Sequence, residues 1–296
     1  GSFGLRGGIL AGFFSLVTDL MLSGNTVFVD HSSMRTLSGT VDNLVGGIAF
    51  VSTHFPFPRP WRDWLLAHNA VDVRAQVLGT RASGLSDLRG GVLAIESQHP
   101  RNLTLHSCTL ALQFIWSRRQ QTELQGGLVS MTALLSSRPL LASEIVIASS
   151  RVRLAVFSDF VATGGVLQVA ASALSRVMLR DNSFKLSPAP YSRPPFPESV
   201  RVHGALLQAE ATDNIDQLTI AGNRASVGCS DDLCFPFVLF DAVAILPSSS
   251  SADVEIASTQ LLNCWLFADA QTTLEAAGFA VYVKQSARLA ERRVTV

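Results

Sequence analysis

Three features of the 296-residue sequence predict an all-β fold, a parallel β-helix whose chain turns through successive coils without hairpins. A glycine pair followed by apolar residues recurs at near-constant spacing, a second motif follows each pair, and apolar residues within both alternate with a period of two.

The glycine pairs stand at Gly7-Gly8, Gly46-Gly47, Gly90-Gly91, Gly126-Gly127 and Gly164-Gly165, separated by 36 to 44 residues. Gly204-Ala205, Asp241-Ala242 and Phe279-Ala280 continue the series in weaker form. Spacings of this size are those of solenoid repeats. Glycine at a corner opens backbone angles closed to other residues, and a small residue lets the chain pass close beneath the neighbouring coil.

The second motif reads apolar, any, apolar, any, any, small polar, any, apolar. Its copies start at Leu20, Trp64, Leu103, Ile145, Val177, Leu218 and Val254. The apolar-any-apolar step puts alternate side chains on one face of a strand and disfavours helix. A third apolar stretch precedes several glycine pairs, as in Val200-Arg201-Val202 and Phe237-Val238-Leu239-Phe240. Three short strands per coil follow, with inward columns such as Leu93, Val129, Leu167 and Leu207, or Leu105, Ile147, Leu179, Ile220 and Ile256.

The small polar position collects Asn25, Asn69, Cys108, Ser150, Asn182, Asn223 and Thr259. Asparagine tolerates a left-handed corner, and its amide can donate to one coil while accepting from the next. Asn, Ser and Thr also favour turns in general. Their fixed offset from flanking apolar residues favours a buried ladder, with Cys108 a buried thiol standing in for Asn or Ser.

Composition narrows the function classes. The chain is 48% apolar and only 16% charged, which excludes disorder. Its 23 basic and 23 acidic residues balance, so no excess positive charge marks it for nucleic acid. Nearly all of the basic residues are Arg, with Lys only at Lys185 and Lys284. No apolar run reaches the roughly 18 residues of a membrane helix.

The coil pattern, with stretches 176–184 (RVMLRDNSF) and 217–225 (QLTIAGNRA) alternating with 164–169 (GGVLQV), resembles the right-handed parallel β-helix family called pectin-lyase-like. It is similar to that family's long repeat-built surface proteins, namely bacterial polymorphic outer-membrane autotransporter passengers and the dispersed gene family of protozoan-parasite surface proteins. The resemblance implies an exported protein, extracellular or at the cell surface. It carries no catalytic residues or cofactor with it.

Family members that act on polysaccharides resemble one another in placing carboxylates, or carboxylates with Arg and Lys, on adjacent coils of one sheet. The outward positions of the glycine-led strand read Phe50, Ala94, Ser130, Gln168, Gln208 and Ile245 at one site, and Ser52, Glu96, Thr132, Ala170 and Glu210 at the next. Glu96 and Glu210 lie three coils apart, about 14 Å at the interstrand spacing, too far to cooperate. A carbohydrate-active enzyme, a polysaccharide lyase or glycoside hydrolase, is therefore the alternative reading.

Cys229 and Cys234 bracket a short loop that a disulfide would close in an oxidising compartment, which is favoured over two free thiols or half a metal site. Cys264 falls several coils from Cys108, so those two are not expected to pair. Asp231 and Asp232 in that loop lack calcium-loop spacing, and no metal is expected. Asn102-Leu103-Thr104 is the single glycosylation sequon. Two insertions break the coil rhythm: 54–61, with Phe55, Phe57 and Trp61, and the proline-rich stretch through Tyr191 and Phe196 to Pro197. Their aromatic rings suit a protein or glycan ligand, or else cover an open sheet face.

At the ends, Arg292–Val296 match the start of the second motif, and Leu5-Arg6-Gly7-Gly8 parallels Leu88-Arg89-Gly90-Gly91. The expectation is one β-helix domain over residues 1–296 with about eight coils, a fragment of a longer repeat protein open to end-to-end stacking. Its expected role is non-catalytic: a rigid rod that presents loops for adhesion or recognition.

Overall fold

Alternation of apolar and polar residues gives each short segment one side to bury, and these segments pair edge to edge in register. The computed structural model describes residues 2–14, 17–31, 40–52, 61–76, 87–96, 101–115, 122–132, 141–156, 160–188, 200–227, 238–240, 243–247, 252–257, 260–262, 281–283 and 288–291. Among them the regular segments are all strands, and the strands pair in parallel. No helix of the described residues is long and apolar enough to cross a membrane.

The strands form three sheets of seven, fourteen and seven members, named A, B and C here. Sheet A holds Ser2–Arg6, Thr40–Val45, Asp87–Arg89, Thr122–Gln125, Phe160–Thr163, Val200–His203 and Val238–Phe240. From the first six of these the chain crosses a corner marked by glycine into sheet B, then a second corner into sheet C, and returns to sheet A one strand further on. Neighbours in a sheet are therefore one repeat apart in sequence, an arrangement compatible with a β-solenoid. A coil, below, means one such circuit.

Three short strands per coil is too simple a description. In the first four coils the sheet-B passage is split in two, as in Ala49–Ser52 and Arg62–Ala67, or Val129–Thr132 and Leu141–Ala148. In the fifth and sixth it runs unbroken through Leu167–Arg180 and Leu207–Ala221, of 14 and 15 residues. Inserted residues between the halves make the difference. The insertion at 54–60 sits in that gap of the second coil, whereas 189–199 separates sheet C from sheet A.

The inward columns pair residue to residue. Ala49, Leu93, Val129, Leu167, Leu207 and Val243 are successive partners. Leu66, Leu105, Ile147, Leu179, Ile220 and Ile256 form another column. Val27, Val71, Leu110, Val152, Phe184, Ala225 and Leu261 form a third on sheet C. One apolar cluster runs through the buried members from Ile48 to Val243.

Two readings of register change. The outward column through Gln168 and Gln208 continues to Ala244, not Ile245, which pairs with Ala209 on the opposite face. With no glycine pair in that copy, the repeat starts one residue earlier than Asp241-Ala242 suggests. The eighth copy of the second motif is Arg288–Glu291, paired with 253–256, and not the later 292–296. Nor is the outer face open throughout: Phe50, Ser52, Ala94 and Ser130 are buried there, with Val45, Phe50 and Ala94 forming a small separate cluster.

The two glycines of a pair have different work. The first is left-handed, with φ of 58° at Gly46 and 49° at Gly90. The second needs space, because a Cβ on Gly91 would stand 2.5 Å from the Gly127 carbonyl oxygen of the next coil and from Leu110 Cδ2. That corner is joined by Gly91 N–H donating to Gly127 O at 2.7 Å. Gly91→Ala is therefore expected to destabilise the fold by about 1–3 kcal/mol, the scale of core overpacking. Chemical denaturation checks this, and a midpoint equal to the parent's would refute the close approach.

Candidate functional site

A column of unusual backbone lies along sheet B, one residue ahead of the first six second-motif copies. Asp19, Asp63, Asn102, Glu144, Arg176 and Gln217 are all left-handed, with φ between 55° and 59°. Asp and Asn tolerate this conformation, whereas Glu, Arg and Gln rarely adopt it. Pairing skips these residues: Arg101 opposes Ser143 and Leu103 opposes Ile145, leaving Asn102 and Glu144 out of the ladder. Such a kink re-aims side chains, as a β-bulge does.

The consequence is a groove of about 410 Å³, lined by Arg62, Asp63, Arg101, Asn102, Leu141, Ser143, Glu144, Ser175 and Arg176. Arg62, Arg101, Ser143, Ser175 and Asp216 follow one another in register along one side. The kinked residues form the other side. Asn102 Nδ2 donates to Asp63 Oδ1 at 2.7 Å, and Arg176 donates to Glu144 Oε1. Three guanidinium groups thus face two carboxylates, both already engaged. Asp63 and Glu144 belong to strands two apart, roughly 9–10 Å at the interstrand spacing. Asn102, the sequon residue, is exposed within this groove.

The groove escapes a reading confined to the glycine-led strand. Glu96 there is flanked in register by Ser52 and Thr132 and is bound by Arg89 at 3.3 Å. Glu210 is flanked by Ala170 and Leu246. A usable signal was present: six polar residues stand at one offset, directly before Leu20, Trp64, Leu103, Ile145, Val177 and Leu218.

At the corner between sheets B and C the structure brings Asn25, Asn69, Cys108, Ser150, Asn182 and Asn223 into one column. The left-handed residue is the one before each of them, namely Gly24, His68, Ser107, Ser149, Asp181 and Gly222. The asparagine is therefore not the residue that takes the left-handed turn. Its side chain reaches back to the preceding coil. Asn69 Nδ2 donates to Leu22 O at 2.8 Å while its Oδ1 accepts from Asn25 Nδ2 at 2.9 Å and Asn25 N at 3.1 Å. Asn223 repeats this against Leu179 O and Asn182. Asn182 Oδ1 accepts from Ser150 N, and Ser150 Oγ from Cys108 N, both at 3.0 Å. Cys108 is the weak link, its Sγ lying 4.0 Å from Asn69 Nδ2. Burial pushes its thiol pKa up, against the lowering effect of hydrogen bonds from Asn69 and His106.

Trp61 is not an exposed ring on a recognition loop. It is fully buried and stacks on Trp64, centroids 5.3 Å apart, because it opens the strand that re-enters the interior after the insertion. Phe55, Phe57, Tyr191, Phe196, Cys229, Cys234, Asp231, Asp232, Thr259 and Cys264 lie outside the described residues. Among the described residues no three His, Cys, Asp or Glu side chains are grouped to hold a metal. No family model, no curated protein and no solved structure matches this chain.

Asn182 is 1% exposed, and its Nδ2 donates to Ile147 O at 2.7 Å. Asn182→Ala leaves that carbonyl, the Ser150 N–H and part of Asn223 without partners, and is expected to cost about 1–3 kcal/mol in equilibrium unfolding. Cys108 supplies a second readout, since thiolate is the nucleophile and burial disfavours it. Mass-mapped alkylation at pH 8 should label Cys108 only once denaturant unfolds the chain; prompt labelling of native protein would contradict the buried column.

Proposed function

We propose that the chain is a single right-handed parallel β-helix of the pectin-lyase-like kind, acting as a rigid rod in an exported surface protein and presenting loops for adhesion or recognition. The observation that carries this reading is the unbroken register of the inward columns from the first coil to the seventh. A stack held by hydrogen bonds in every coil resists bending and spaces its outward residues evenly. Right-handedness follows from the general preference of parallel strand crossovers. Insertions at 54–60 and 189–199 fall at different points of the circuit, the first between two strands of sheet B and the second between a strand of sheet C and one of sheet A, so the rod would offer two separate loop sites. The similarity to repeat-built surface proteins supports an extracellular setting, and end-to-end stacking would extend the rod.

A second reading, a carbohydrate-active enzyme, is favoured by the groove. Arg62, Asp63, Arg101, Glu144 and Arg176 fall on four neighbouring coils in one cleft. Two carboxylates roughly 9–10 Å apart are near the upper end of the separation suited to an acid and a base acting across a water. Asp63 is neutralised by no cation among the described residues, so it would serve as the base, with Arg62 and Arg101 holding substrate anions.

One experiment separates the readings. Beads coated with the 296-residue chain are expected to adhere to immobilised matrix proteins or glycans, to lose adhesion when 54–60 and 189–197 are replaced by short Gly/Ser linkers, and to release no reducing ends from a polysaccharide panel. Release of product that disappears with Asp63→Asn and with Glu144→Gln would establish the enzyme instead.

A further inference from the structure

The outward face of sheet C carries a concentration of charge that neither reading uses. Along Arg151–Val156 and Ser183–Pro188 the side chains alternate, with Val152, Leu154, Phe184 and Leu186 buried and Arg151, Arg153 and Lys185 exposed. The next strand adds exposed Arg224. Arg153 and Lys185 are direct register partners, so their strands set them about 4.8 Å apart. Arg151 and Arg224 share the adjoining column with Ser183 between them. The four positions span roughly 10 Å by 7 Å.

Nothing among the described residues neutralises them. None of the four makes an ion pair there, and the short neighbours Thr109, Ala111, Ser183 and Ser226 leave the cationic heads standing above a flat floor. The same sheet behaves differently in its second coil, where Asp72 holds Arg74 at 3.1 Å. Along sheet C the described charge thus changes from the Asp72–Arg74 ion pair to four cations with no ion pair among the described residues. At physiological salt the screening length is about 8 Å, so the four groups act on a ligand together.

We propose that this face, over Arg151, Arg153, Lys185 and Arg224, is a docking site for a sulfated polysaccharide. A sulfate ester has three acceptor oxygens and stays ionised, so one group can bridge Arg153 and Lys185, whereas a carboxylate is satisfied by a single guanidinium. A polymer with regularly placed sulfates matches a rigid grid of cations. An anionic bilayer would call for apolar anchors, and a nucleic acid for aromatic stacking platforms; the exposed side chains of these strands supply neither.

The inference rests on the recognition role proposed above for its setting, and its test is separate. Heparin, polygalacturonate, anionic phosphatidylserine vesicles and duplex DNA are titrated against the 296-residue chain by calorimetry over a salt series. Heparin is expected to bind with affinity that falls as salt rises. Arg153→Glu with Lys185→Glu should weaken it at least tenfold without moving the denaturation midpoint, and Arg74→Ala should leave it unchanged. Unaltered affinity after the double reversal would overturn this face while leaving the recognition role intact. No heparin binding at all, or tighter binding of polygalacturonate, vesicles or DNA, would overturn the choice of ligand, and the bead assay decides the recognition role independently.

Discussion

The rest of the structure depends on one constraint: each coil must come back to its starting point displaced by a single interstrand spacing, about 4.8 Å, so that every backbone hydrogen bond to the coil before it can form. A repeat that closes short or long by one residue turns its inward side chains outward. Two corners enforce closure. At one, the Gly91 N–H meets the Gly127 carbonyl, and the approach is so close that the second glycine has no room for a side chain. At the other, an asparagine satisfies backbone groups of the preceding coil that the turn strips of partners, as Asn223 does for Leu179 and Asn182. Shape governs the first corner and hydrogen bonding the second.

The groove is a by-product of the same constraint. Between the corners sheet B has to absorb a change of direction, and in the first six coils it does so at one left-handed residue each. Stacking places those residues beside one another, so whatever side chains they carry are gathered into a row. Where the row contains Glu144 and Arg176, types that resist left-handed backbone, an ion pair joins the two. A backbone requirement thus becomes a surface that can hold ligands, and insertion or deletion of loops between the two halves of sheet B does not disturb it.

Legibility in the sequence follows from how each feature is encoded. Repeat, strand columns and corners announce themselves because every coil needs the same residue type at the same offset: Leu93, Val129, Leu167 and Leu207, for instance, pair as their spacing from the glycines implies. The register slips where the marker is lost, at Asp241-Ala242, and again at the last second-motif copy, which is Arg288–Glu291. The groove was harder to see because its backbone is repeated while its chemistry is not: Asp63, Asn102, Glu144 and Arg176 share a position and nothing else. The burial of Trp61 is illegible for the opposite reason. A Pro-rich insertion breaks the repeat in the sequence without marking where the buried pattern resumes, and Trp61, the first described residue after it, is buried against Trp64.

The ladder also explains where this stack can bear variation. A relay of amides would be continuous if every corner carried asparagine, but Cys108 has no amide, and its sulfur reaches Leu66 O and His106 O only at 3.6 Å. Side-chain bonding is therefore weakest between Asn69 and Cys108. Cohesion there falls to the backbone bonds and to burial, which is complete at Cys108. A small apolar thiol tolerates a position whose polar partners are satisfied elsewhere, since Ser150 Oγ takes the Cys108 N–H and donates to Ala148 O. The corner thus demands smallness but hydrogen bonding only on average, and this is why one column accommodates Asn, Ser and Cys, while the glycine corner, governed by a left-handed backbone and by close approach, keeps Gly-Gly in the first five copies and relaxes to Gly204-Ala205 in the sixth.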